Sequence, residues 1–261
     1  MNPGDVGWPY SILGFAVGFL VGMTGVGGGS LMTPLLVLLF GVHPAAAVGT
    51  DLMFAGVTKT VGTLVHGAHG SVNWRIVARL SVGSIPMAVF TLLLLRWIGP
   101  QHAAISNAIC WVMGVALVAT AGSLYARDLL LKPRPDRNGA DSGRQAALTM
   151  IGGALLGLLV TISSVGAGAM GIVALYFLYP LLPTRTLVGS DVAHAVPLTL
   201  VAGMGYWLLG TVDWVMLAWL LGGSIPGIVI GSILAPRVSE RVLRPILATI
   251  LVLVGLRLLL P

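Results

Sequence analysis

Two aspartates set within long apolar stretches are the residues of this chain best suited to chemistry. Asp51 and Asp191 each follow a small hydroxyl residue, Thr50 and Ser190. A carboxylate in such surroundings is costly to bury and commonly carries a proton or binds a cation. We therefore assign these four residues to coupling or gating. The alternative is that the Thr-Asp and Ser-Asp pairs are helix N-caps, and the sequence leaves both interpretations open.

Two further titratable side chains follow these aspartates closely along the chain. Lys59 comes eight residues after Asp51, about 12 Å along a helix. We predict that its charge faces an anion pathway, with a structural ion pair to Asp51 or Asp191 as the alternative. His194 comes three residues after Asp191, on the same helix face. It can relay a proton or simply bond between helices. The spacing of these groups predicts no metal site and no cofactor.

Glycine-rich interruptions break two of the apolar segments, near residues 25–30 and 163–169. Because a glycine costs about 1 kcal/mol of helix propensity relative to alanine, each break should separate two half-helices. The N-terminus of a half-helix attracts anions, whereas small residues also allow close helix packing. The predicted anion-binding residues of the breaks are Gly27, Gly28, Gly29, Ser30, Ser164, Gly166 and Gly168.

Short motifs of the first half recur in the second half at a constant spacing. Gly-Thr-Asp at 49–51 returns as Gly-Ser-Asp at 189–191, and Gly-Ser-Ile-Pro at 83–86 returns at 223–226. A Gly-x-Val-x-Trp loop recurs in the same register, and Val-Gly-Gly-Gly at 26–29 returns as Val-Gly-Ala-Gly at 165–168. These matches indicate an internal duplication, which is typical of transporters that bind their substrate between two structural repeats.

The composition indicates an integral membrane protein. The chain is 57% hydrophobic and 8% charged, whereas soluble domains carry roughly 25% charged residues. Apolar runs of about 20 residues follow one another along the chain and predict spans of a lipid bilayer. The net charge of +6 arises from basic residues in short loops, so it reflects orientation in the membrane and not nucleic-acid binding. The single cysteine excludes an intramolecular disulfide.

The distribution of positive charge predicts the topology. If the two broken segments are re-entrant, nearly all loop arginines and lysines fall on the cytoplasmic side. Each half then supplies three crossings, an odd number, so the halves are inverted repeats. We therefore predict an all-α membrane protein with a first repeat at 1–126, a cytoplasmic linker at 127–145 and a second repeat at 146–261.

Several motifs in combination resemble the sulfite exporter TauE/SafE family. They are Gly-Val-Gly-Gly-Gly at 25–29 with Pro34 after it, Gly-Thr-Asp at 49–51, Thr58-Lys59, His66, the Trp-Arg loop ending at Arg75, and Gly-Ser-Ile-Pro in both halves. The resemblance covers nearly the whole chain apart from the linker and tail. It implies a bacterial inner-membrane protein that moves sulfite, sulfoacetate and related sulfur-containing or organic anions, mostly outward. Many members have a small hydroxyl residue where this chain has Asp51 and Asp191.

Together these features predict a multi-pass exporter of small anions in the bacterial inner membrane. We expect alternating access, with coupling to a proton or a cation through Asp51, Asp191 and His194. A passive anion channel with the same site is the alternative. An intramembrane enzyme is disfavoured because no Ser-His-Asp or His-Glu-x-x-His arrangement is visible. The sequence does not choose between a monomer and a homodimer.

Overall fold

The fold is that of a computed structural model, which describes residues 7–24, 29–68, 71–130, 143–166, 168–234 and 240–260. Within these ranges all regular structure is helical, which confirms the predicted all-α class. The ten helices are α1 (Gly7–Thr24), α2 (Gly29–Phe40), α3 (Pro44–Ala68), α4 (Trp74–Ile98), α5 (Ala103–Leu130), α6 (Gly143–Ser163), α7 (Ala169–Leu178), α8 (Thr184–Leu208), α9 (Trp214–Leu234) and α10 (Glu240–Leu259).

Two apolar segments each form a pair of helices. One pair is α1 and α2, and the other is α6 and α7, with the glycine breaks between their members. The second members have only 12 and 10 residues, so neither is long enough to cross a hydrocarbon layer of about 30 Å. The first members are longer than the half-helices expected. α6 runs for 21 residues because its apolar sequence is uninterrupted as far as Ser163.

Each interrupted segment returns to the level at which it began. Near the start of α1, the ring of Tyr10 stacks on Phe40 at the end of α2, with ring centroids 4.8 Å apart. Near the start of α6, the Thr149 hydroxyl lies 2.9 Å from the Tyr179 hydroxyl, which follows α7 directly. These two contacts involve equivalent positions of the repeats, because Thr149 and Tyr179 match Tyr10 and Phe40 in the register that aligns the two glycine breaks.

Helices of one repeat pack closely against helices of the other, and glycines permit the approach. Gly14 of α1 lies against the Leu220 carbonyl of α9, where a Cβ would clash. Gly153 of α6 lies in the same way against the Leu80 carbonyl of α4. Gly153 is the equivalent of Gly14, and Leu80 is the equivalent of Leu220. The same contact is therefore made twice with the two halves interchanged, as a two-fold relation between them requires.

Equivalent helices that meet each other run antiparallel. On α3 and α8, Gly49 faces Tyr206 while Gly56 faces Leu200, so one residue number rises as the other falls. α5 and α10 are the equivalent pair on the outside of the bundle. They are also antiparallel, since Gly114 contacts Leu259 while Val118 contacts Gly255.

The outer surface of the bundle is apolar. In the described part of the chain, five helices are long and apolar enough to cross a membrane, namely α4, α5, α6, α8 and α9. Large apolar side chains on their outer faces remain exposed, among them Leu93, Ile151 and Ile225. Trp74 and Trp97, at the two ends of α4, are exposed as expected of interfacial tryptophans. The charged residues considered next lie inside this apolar envelope.

Candidate functional site

Asp51 and Asp191 occupy equivalent positions deep inside the protein. Each is the eighth residue of its helix, since α3 begins at Pro44 and α8 begins at Thr184. Both side chains are buried, with at most 1% of their surface exposed. A residue two turns into a helix cannot cap its start, so the N-cap alternative is wrong for both aspartates.

Asp51 joins elements of the two repeats. Its Oδ2 accepts a hydrogen bond of 2.6 Å from the Thr33 hydroxyl of α2 and one of 2.8 Å from the Ser164 hydroxyl. Thr33 and Asp51 each lie seven residues from the turn between α2 and α3, so these helices form an antiparallel hairpin. Ser164 comes from the break of the second repeat. The α2–α3 hairpin of the first repeat and the break of the second repeat therefore meet at the Asp51 carboxylate.

Asp191 has different surroundings from its equivalent. Neither of its oxygens has a hydrogen-bond partner among the described residues. Oδ1 lies against Gly171 in the first turn of α7, so closely that a Cβ there would clash with it. The positions equivalent to Thr33 and Ser164 are Ile172 and Gly25, which carry no hydroxyl. Asp191 therefore has no hydroxyl at the positions equivalent to the two donors of Asp51.

Lys59 lies within electrostatic range of both aspartates. Its positive charge acts on Asp51 and Asp191, and also on His194. The side chain is only partly buried, unlike the carboxylates. Lys59, the two aspartates and His194 thus form one electrostatic cluster. This position is compatible with both interpretations of Lys59, as part of an anion site and as the partner of an aspartate in an ion pair.

His194 is held by a residue to which the sequence analysis assigned no role. Its Nε2 lies 2.8 Å from the Ser84 hydroxyl of α4. Its Nδ1 is buried and has no partner within the described ranges. The recurrence of Gly-Ser-Ile-Pro at 83–86 was the available signal for Ser84, but only the packing of α4 on α8 connects it to the histidine.

Thr50 and Ser190 link the two repeats by reciprocal hydrogen bonds. The Thr50 hydroxyl accepts the backbone N–H of Asp213 at 3.1 Å, and the Ser190 hydroxyl accepts that of Asn73 at 2.9 Å. Asn73 and Asp213 also accept hydrogen bonds from the first turns of α4 and α9. The hydroxyls predicted to take part in coupling therefore tie each repeat to the helix start of the other.

The break of the second repeat has the backbone of a non-helical turn. Ser164, Gly166 and Gly168 have φ values of 57°, 116° and 131°. Such angles favour glycine, and Ser164 adopts one while bonding to Asp51. Of the predicted residues in the first break, Gly27 and Gly28 lie outside the described residues. Gly29 and Ser30 begin α2, but their side chains are not among those described.

The sequence of this chain matches a known protein family. The family model for the sulfite exporter TauE/SafE matches residues 10–258, which include both breaks and all four titratable groups of the cluster. The chain belongs to the sulfite exporter TauE/SafE family. Among its relatives is the probable membrane transporter protein YjnA of Bacillus subtilis, 39% identical over 95% of this chain and 97% of the relative.

More distant relatives have similar names. A probable membrane transporter protein of Xylella fastidiosa is 27% identical over 87% of this chain and 84% of its own length. YunE of Bacillus subtilis, also named as a probable membrane transporter protein, is 37% identical over 31% of this chain and 33% of its own length. No solved structure gives a significant match. This TauE/SafE family member is a multi-pass membrane transporter.

Proposed function

We propose that this protein exports small sulfur-containing or organic anions, such as sulfite or sulfoacetate, across the bacterial inner membrane by alternating access. The family name supports the substrate class. The observation that carries the proposal is the position of Lys59. Its positive charge acts on Asp51, the buried carboxylate at which a helix of the first repeat meets the break of the second. A positive charge at such a junction favours an anionic solute.

The helix directions support an inverted arrangement of the repeats. A two-fold axis that relates two antiparallel helices is perpendicular to them. Since the equivalent helices α3 and α8 are antiparallel, an axis between them would lie in the membrane plane. The returning segments support re-entrant hairpins, because the Tyr10–Phe40 contact joins the two ends of the first one.

Alternating access would follow from movement between the two repeats, here taken as 1–126 and 146–261, with 127–145 as the cytoplasmic linker. The bond between Ser164 and Asp51 crosses between the repeats, as do those of Thr50 and Ser190. When one repeat rocks against the other, these bonds are the ones that must break and re-form. The rocking would expose the Lys59 cluster to one side and then to the other.

Transport by purified protein in proteoliposomes tests the proposal. We expect flux of one or more of sulfite, sulfoacetate, sulfate and simple carboxylates, with and without a proton gradient. Lys59→Ala should reduce this flux to background, and Lys59→Met, which keeps the length of the side chain without its charge, should do the same. Arg96→Gln removes an exposed positive charge at the end of α4 and should leave flux unchanged.

Two results would change the proposal. Wild-type flux in both Lys59 variants would remove Lys59 from the anion pathway. Flux that follows the membrane potential and ignores a pH gradient would favour the passive channel over a coupled transporter.

A further inference from the structure

The two repeats place equivalent aspartates in unequal surroundings, and we propose that Asp191, and not Asp51, carries the coupling proton of transport. This inference rests on the proposed function and assigns the coupling to one of two equivalent residues. Oδ2 of Asp51 accepts hydrogen bonds from two hydroxyl donors, and only its Oδ1 has no partner among the described residues. Asp191 is equally buried, and no hydrogen bond from the described residues reaches either of its oxygens.

The donors explain why only one aspartate exchanges a proton. Hydrogen bonds to the ionised form favour the charged state of a carboxyl group, whereas burial without donors favours the neutral acid. Thr33 and Ser164 supply such bonds to Asp51. The residues that match Thr33 and Ser164 in the alignment of the repeats are Ile172 and Gly25, which carry no hydroxyl. Asp191 therefore depends on Lys59 to balance its charge.

The neighbours of Asp191 support a proton over a metal cation. The charged group that acts on the Asp191 carboxylate is Lys59, on the neighbouring helix α3. A metal ion needs several oxygen ligands, but Oδ1 lies against the bare backbone of Gly171. The other titratable groups of α8 and of the helices packed on it are Asp51 and His66 on α3, Arg75, Arg79 and Arg96 on α4, Arg144 on α6, Tyr176 on α7, and Arg185, His194 and Tyr206 on α8 itself.

Charge balance couples the proton to the substrate. Two carboxylates and one ammonium leave the cluster with one negative charge in excess when His194 is neutral. An anion entering this cluster would be repelled. When a proton binds an Asp191 oxygen and forms the neutral acid, the cluster loses its excess negative charge and no longer repels the incoming anion. The O–H bond breaks again when the anion leaves, and no electrons are transferred.

Sulfoacetate binding to the full-length protein in detergent tests this inference, because sulfoacetate stays fully ionised near neutral pH. Calorimetry in buffers of different ionisation enthalpy measures the protons taken up. The wild type should take up about one proton per sulfoacetate, and its affinity should fall about tenfold per pH unit above the midpoint.

Asp191→Asn imitates the protonated acid. This variant should bind sulfoacetate with an affinity independent of pH and should take up no proton. Arg96→Gln changes an exposed residue outside the cluster and is the control, which should keep the proton uptake. Loss of uptake in Asp51→Asn, with uptake retained in Asp191→Asn, would overturn the assignment.

A second variant keeps the test independent of whether Asp191→Asn folds. Ile172→Thr places a hydroxyl at the position equivalent to Thr33 and should supply Asp191 with a donor. The midpoint of the pH dependence should then move to lower pH, because a donor favours the ionised form. An unmoved midpoint would contradict the proposal. If the wild type bound neither sulfoacetate nor sulfite, sulfate or simple carboxylates, the proposed function would be contradicted, whereas binding without proton uptake would overturn this inference alone.

Discussion

At the scale of single residues, the main feature is a carboxylate shared between the two repeats. Asp51 is fully buried, and one of its oxygens accepts both the Thr33 and the Ser164 hydroxyl. A buried carboxylate without donors would be far less stable as an ion. The two hydroxyls are therefore part of what allows a charged group at this position, and they come from residues 18 and 113 positions away.

Thr33→Val tests the contribution of this donor. Valine has the shape of threonine without its hydroxyl, so the variant should lose one hydrogen bond to a charged group. We expect the free energy of unfolding in detergent to fall by about 1.5–3 kcal/mol. Thr33→Ser keeps the hydroxyl and should lose much less. Equal stability of the valine variant and the wild type would show that the bond contributes nothing to the fold.

At the scale of helices, the glycines serve two different purposes. Those at 166 and 168 have positive φ and allow the chain to turn between α6 and α7. Those on the helix faces, such as Gly153 and Gly14, let a helix of one repeat touch the backbone of the other. In membranes, where the hydrophobic effect does not drive helices together, such close packing contributes directly to association.

Two neighbouring glycines of α6 allow the effect of helix packing on stability to be measured apart from the effect of helix propensity. Gly153→Ala should destabilise the protein, because its Cβ would meet the Leu80 carbonyl and push α6 away from α4. Gly152→Ala, one residue earlier, faces open space and should be neutral or stabilising by up to about 1 kcal/mol, since alanine is the better helix former. Thermal unfolding of the two variants in detergent measures the difference. Equal unfolding temperatures would contradict the packing of α4 on α6.

At the scale of the whole molecule, each half makes the same contact with the other half. The pairs Thr50–Asp213 and Asn73–Ser190 are the same contact made twice, once in each direction. Together with the antiparallel packing of α3 on α8, this arrangement supports opposite orientations of the halves in the membrane. The basic residues at the starts of α4 and α8 would then face the cytoplasm, in agreement with the positive-inside rule.

Labelling of single cysteines measures this orientation. Arg75 and Val215 are exposed and occupy equivalent places in the first turns of α4 and α9. In a Cys110→Ser background, a membrane-impermeant maleimide added to intact cells should label Val215→Cys but not Arg75→Cys. After the membrane is permeabilised, both variants should react. Labelling of both positions from one side would exclude inverted repeats.

Much of this architecture could be predicted from the sequence, because its signals are local. The apolar runs predict the helices, the glycine clusters predict where two of them are interrupted, and the constant spacing of the repeated motifs predicts the two halves. The proximity of Lys59 to Asp51 and of His194 to Asp191 also follows from helix geometry.

The duplication, the membrane-embedded helices and the family were thus determined by the sequence alone, since each depends on residue types at short or repeated spacings. Only the tertiary structure decided that Ser164 and Thr33 reach the same oxygen of Asp51, that Ser84 holds His194, and that Asp191 has no such donors among the described residues. The physical reason is that these contacts depend on the register in which helices of the two repeats pack, and a single chain sequence carries no direct signal of that register.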